Sequence, residues 1–103
     1  MTPKNRRPTH PGTILKEMYL EPRNVSIASL SRATGISRKH LSRLVHGHVK
    51  VSPEVAMKLA AAFDTTPELW LNAQRNVELY DAQQDLSEWA PSEVFTSEDV
   101  QPA

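Results

Sequence analysis

The chain has no cysteine and only three glycines among 103 residues. The first absence removes disulfides and thiolate metal sites. The second leaves no glycine-rich phosphate loop, and no G-x-S-x-G nucleophile turn occurs. Aromatic residues make up 6%, and no apolar run approaches the ~20 residues that cross a membrane. The start, Met1 to Pro11, is basic and proline-rich with no apolar stretch after it, unlike a secretory signal. A cytoplasmic globular chain that is not an enzyme and has no membrane segment or cofactor is the expectation. No metal is expected either. His40, His46 and His48 lie close together, but a structural zinc site needs four ligands and no second pair follows.

An apolar content of 39% supports one small domain with a modest core. Such a domain has little stability in reserve, and dimerisation is a common remedy.

The formal net charge of zero conceals a division. Residues 1–50 carry 10 Lys/Arg against 2 Asp/Glu, and residues 51–103 carry 2 against 10. A basic half suits phosphate, and an acidic half limits non-specific binding or faces a basic partner.

Apolar spacing reads as helices throughout, with no strand alternation of comparable strength and no internal repeat. Residues 1–9 (M-T-P-K-N-R-R-P-T) form a flexible basic arm, residues 10–84 the domain, and residues 85–103 an acidic tail expected to be mostly disordered. The tail also carries Leu86, Trp89, Val94 and Phe95, which leaves room for docking on the domain or on a partner. Helix one is predicted over about Gly12 to Leu20, with Ile14, Leu15 and Met18 as its apolar stripe. It should stop at Glu21-Pro22, since proline disfavours helix at the preceding residue. Ser26 opens helix two, which ends near Thr34-Gly35. Ser37 opens helix three, about Arg38 to His46, and Gly47 is its left-handed C-cap. Ser52-Pro53-Glu54 and Thr66-Pro67-Glu68 combine a cap, a proline at the first position and an acid in the first turn. They start helix four, with Val55, Ala56, Leu59, Ala60 and Phe63 facing inward, and helix five, about Pro67 to Gln84.

The stretch Ser26 to Gly47, S-I-A-S-L-S-R-A-T-G-I-S-R-K-H-L-S-R-L-V-H-G, carries the functional signal. Leu30, Ile36, Leu41 and Leu44 are its buried positions, Ser31 is the small residue at the helix crossing, and Gly35 turns the chain. This is the layout of a helix-turn-helix whose second helix enters the DNA major groove. Arg38, Lys39 and Arg43 are the candidate base contacts, with Ser42 beside them, because cations at the start of a reading helix can donate to guanine O6 and N7. Ser26 and Ser37 place free backbone N–H groups at helix starts, where anions are favoured. Arg32, His46, His48 and Lys50 flank the reading helix and are candidate phosphate contacts. On helix five, Trp70, Ala73, Val77 and Tyr80 recur at three, four and three, a short seam for another helix. Trp70 belongs to the core. Val77 and Tyr80 could pack inward or meet a second protomer, and two-fold pairing would set the reading helices roughly 34 Å apart.

Three motifs together, His10-Pro11-Gly12, the helix-turn-helix, and T-T-P-E-L-W-L-N-A-Q-R-N-V-E-L-Y-D from Thr65 to Asp81, resemble the HigA-type antitoxins. These are a branch of the XRE (lambda-repressor-like) helix-turn-helix family. The likeness spans roughly Arg7 to Gln84. It implies an all-α, five-helix lambda-repressor-like domain that forms a homodimer and binds a palindromic double-stranded operator in its own promoter. It also implies pairing with a HigB-type, RelE-like mRNA endonuclease toxin, which the antitoxin neutralises by binding. Thr13 stands where the family often has an acidic residue, and Ala73-Gln74 where many members have L-Q. Two other readings stay open. One is a stand-alone transcriptional regulator of the same fold without a toxin. The other is a protein-interaction module whose basic face binds an acidic partner.

Overall fold

The computed structural model describes residues 6–96, and among them the chain is helical with no strand. Residues 11–23 form one helix, α1, built from Pro11–Ile14, a π-helical stretch Leu15–Leu20, and Glu21–Arg23. It is followed by α2 (Ile27–Thr34), α3 (Arg38–Val45), α4 (Pro53–Phe63) and α5 (Pro67–Asp85). Among the described residues, no helix is long and apolar enough to cross a membrane.

Short polar side chains start these helices. Ser26, Ser37, Ser52 and Thr66 each accept a hydrogen bond from the backbone N–H three residues on, at 3.0–3.4 Å. His10 caps α1, its Nδ1 accepting from the Gly12 N–H at 2.9 Å. Left-handed residues end four of the helical runs: Asn24 (φ 54°), Gly35 (φ 77°), Gly47 (φ 76°) and Asp64 (φ 55°). Three of these exits carry the six-to-one bond of a Schellman turn: Val25 N to Leu20 O, His48 N to Arg43 O, and Thr65 N to Ala60 O.

Helix α1 departs from its expected form in two ways. It runs through Pro22 to Arg23 instead of stopping at Glu21. Proline at position 22 cannot donate to the Met18 carbonyl, but Arg23 Nη1 donates to that oxygen at 3.1 Å and lies 3.4 Å from the Tyr19 carbonyl. A side chain thus replaces the missing backbone donor. The wide π turn also shifts the helix phase. Leu15 and Leu20, five residues apart, are both buried, while Met18, expected in the stripe, is 61% exposed.

The core forms where the helices converge. Leu15, Leu30, Leu41, Leu44, Leu59 and Trp70 are all at most 2% exposed, with Ile36, Val55, Ala56 and Ala60 closing around them. Phe63 is half-buried against this cluster. Tyr19, Phe63 and Trp70 make an aromatic group with ring centroids 5.1–6.5 Å apart. The Arg23 guanidinium lies 4.9 Å from the Tyr19 centroid. Trp70 satisfies its indole N–H on the Thr65 hydroxyl at 2.9 Å.

The N-terminal end differs from a uniformly loose arm. Of the expected arm, residues 1–5 lie outside the described residues, but Arg7 is anchored. Its Nε and Nη2 donate to the two carboxylate oxygens of Asp81 on α5, at 3.0 and 2.9 Å. The described part of the tail, 86–96, is exposed throughout, and Trp89, Val94 and Phe95 are 63–74% exposed. Residues 97–103 lie outside the described residues.

Candidate nucleic-acid interface

The helix expected to read DNA is α3. Its amphipathic spacing follows from R-K-H-L-S-R-L-V: Leu41 and Leu44 are fully buried and lock the helix to the core, leaving Arg38, Lys39 and Arg43 exposed. Ser42 is half-buried on the same helix. The Ser37 hydroxyl takes the His40 N–H at 3.1 Å, so the first turn that carries Arg38 and Lys39 is fixed in place. His40 turns inward, and its Nε2 is a buried atom without a hydrogen-bond partner.

Four of the six candidate phosphate contacts fall into two clusters, Ser26 with Arg32 and His46 with His48. At the start of α2, the Ser26 Oγ accepts the Ser29 N–H at 3.0 Å and donates to the Ser29 Oγ at 3.1 Å. Arg32 Nη2 donates to the same Ser29 Oγ at 3.2 Å. Ser26 and Arg32 are therefore held together, with the positive end of α2 beside a guanidinium, an arrangement suited to an anion. Ser29, which links them, was not singled out from the sequence. The S-x-x-S-x-x-R spacing, one helical turn per step, was the available signal.

The second cluster follows the reading helix. His46 is exposed, and its Nδ1 lies 2.7 Å from the Ser42 carbonyl, which accepts when that nitrogen bears the proton. The ring therefore caps the last turn of α3. The His46 and His48 rings stack with centroids 6.2 Å apart. Lys50 does not join them: its Nζ lies 3.7 Å from Glu78 Oε2 on α5, in an exposed pair. A buried bond steadies this loop, with the Val51 N–H donating to Gln74 Oε1 at 3.0 Å. Gln74 is 7% exposed. Its role emerges only in three dimensions, since it satisfies a backbone group 23 residues away.

Burial answers part of the question about the seam on α5. Trp70 is fully buried, as expected. Val77 is 2% exposed within one chain, so the inward alternative describes its side chain in the single protomer, while Tyr80 is half-buried. The Arg7 guanidinium, through its hydrogen bonds first, holds the Asp81 carboxyl below its ordinary value of 3.8. This pair is intact above that value and is lost only as pH falls through the lowered one.

Comparison with known proteins agrees with this geometry. A helix-turn-helix family model matches residues 15–70. The antitoxin HigA-1 of Vibrio cholerae is 42% identical over 90 residues, covering 87% of this chain and 85% of that protein. Among solved structures, the antitoxin GraA in complex with its operator superposes with a TM-score of 0.79 at 31% identity, covering 92% of this chain and 100% of that one. The Pseudomonas aeruginosa antitoxin HigA with the higBA promoter gives a TM-score of 0.79 at 30% identity, covering 88% and 99%. The chain belongs to the XRE-type helix-turn-helix family and, within it, to the HigA antitoxins.

Proposed function

We propose that this protein is the antitoxin of a type II toxin–antitoxin pair, and that as a dimer it binds a palindromic operator and represses its own operon. The observation that carries the operator reading is α3 itself. It is an eight-residue helix, capped by Ser37 and locked by Leu41 and Leu44, with Arg38, Lys39 and Arg43 exposed. Arg38, Lys39, Ser42 and Arg43 read base edges. Ser26, Arg32, Ser37, His46, His48 and Lys50 hold the phosphates on either side, positioning the helix without adding sequence information. Helix α5 supplies the two-fold contact from its outer end, with Tyr80 taking part, which sets the reading helices about one DNA turn (~34 Å) apart. Supporting this reading are the structural relatives solved with operator or promoter DNA.

The protein works in the cytoplasm and neutralises a HigB-type, RelE-like mRNA endonuclease by binding it, not by catalysis. The likeness to an antitoxin of Vibrio cholerae supports this half of the proposal. Its test is co-expression with the short reading frame beside this gene. The expected result is that the neighbour alone arrests growth, and that this chain restores growth and co-purifies with it. A harmless neighbour that does not co-purify would remove the toxin half and leave a stand-alone repressor.

A further inference from the structure

The motif His10-Pro11-Gly12 has no part in the DNA contacts assigned above, yet its glycine packs directly on the backbone of the reading helix. Gly12 is buried, and a Cβ added there would run into the Leu44 carbonyl oxygen in the last turn of α3. Pro11 is also buried. The His10 ring lies against the Gly47 position that ends the same helix, with Cγ 3.8 Å from where a Cβ would stand. The ring's Nδ1 accepts the Gly12 N–H at 2.9 Å and so fixes the turn that delivers Gly12 to Leu44. One side chain therefore caps α1 and faces the exit of the reading helix.

We propose that His10 is a positioning residue for operator reading: through its cap on Gly12, which packs on the Leu44 carbonyl, it sets the seat of α3, in a way that depends on the neutral ring. This rests on the operator-binding reading above. An Nδ1 that accepts must carry a lone pair, so the ring proton sits on Nε2. A second proton would place N–H against N–H at Gly12 and break the cap. Burial first, and the positive charge of Arg7 second, push His10 below the ordinary histidine value of 6.5. The cleft around it also holds His48 and Lys50 from the loop after α3, and Glu78 and Asp81 from α5. Glu78 and Asp81 would favour the proton but are engaged by Lys50 and Arg7. The sign follows from linkage. A histidine held neutral in the fold contributes its full stability above pH ~6.5, and that contribution is lost as pH falls below it.

The test uses the full chain. In the free protein, the Gly12 amide resonance should titrate with a midpoint below 6.5, and this titration should be absent in His10→Asn. Asparagine presents a non-titrating acceptor where Nδ1 stands and is a strong N-cap. In operator binding, His10→Asn should keep wild-type affinity at pH 7.5 and lose the acid-side decline attributable to His10. His10→Ala should bind the operator roughly three- to tenfold more weakly while binding unrelated DNA as wild type does. The difference between the pH profiles of wild type and His10→Asn isolates His10. Equal loss of specific and non-specific binding in His10→Ala would overturn the proposal, as would an unchanged pH profile in His10→Asn. If the wild type prefers no promoter DNA at all, the operator reading falls first, whatever the resonance shows.

Discussion

The α2–α3 unit and the α5–tail segment are built on opposite principles. In α2–α3, the apolar residues point inward, both helix starts are capped by serine, and the excess charge is positive and faces solvent. In α5 and beyond, the first half is core, through Trp70, Ala73, Gln74 and Val77, but from Glu78 onward acidic and apolar residues alternate at the surface. Two exposed ion pairs tie α5 to cations outside α2–α3: Arg7 before α1 pairs with Asp81, and Lys50 in the loop after α3 pairs with Glu78. The difference separates two properties of a DNA-binding domain. Specificity depends on a rigid seat for α3, made of buried contacts. Overall attraction, in the proposed function, depends on surface charge, which the acidic helix weakens by pairing with Arg7 and Lys50.

Breaking the core behind that seat should have the largest effect. Trp70→Ala removes the most voluminous buried side chain and its bond to Thr65, so a loss of about 3–5 kcal/mol is expected, read as a lower midpoint in urea with operator binding lost alongside. Arg38→Ala leaves the seat alone and should cost about 1–3 kcal/mol of operator affinity while relaxing preference at one base pair. A panel of single-base operator variants checks it. Ser52→Ala removes the cap of α4 and should lower stability by about 1 kcal/mol, visible by thermal melting, without changing which operator is preferred. The surface pair should matter least. Lys50→Ala should weaken all DNA sequences alike and reduce the salt slope by about one. Glu78→Gln, which frees Lys50, should strengthen all sequences by no more than ~1 kcal/mol. A shift in base preference from either would contradict a purely electrostatic role.

What the sequence disclosed divides along the same line. Helix starts are local chemistry, so Ser26, Ser37, Ser52 and Thr66 were readable as caps, and Gly35 and Gly47 as left-handed exits. The buried set Leu30, Ile36, Leu41 and Leu44 followed from spacing alone. The overrun of α1 past Pro22 was not readable, because it depends on a π turn and on Arg23 reaching back to Met18. Arg7, read as part of a loose arm, is fixed by a carboxylate 74 residues away. Gln74 and Gly12 owe their importance to backbone groups on other elements, which no local pattern records. Arg38, Lys39 and Arg43 were named from the motif, and the structure places all three at the exposed surface of α3. Ser29, by contrast, shows its part only once Ser26 and Arg32 are seen to meet on it.

The central claim is that α3 reads sequence while the flanking basic residues supply attraction. Fluorescence anisotropy titrations of wild type and Arg38→Ala, against the protein's own promoter fragment and a scrambled fragment at several salt concentrations, test it most directly. The account expects wild type to prefer the promoter, and Arg38→Ala to lose much of that preference while its binding to scrambled DNA keeps nearly the same salt dependence. An Arg38→Ala protein that discriminates between the two fragments as well as wild type would contradict it.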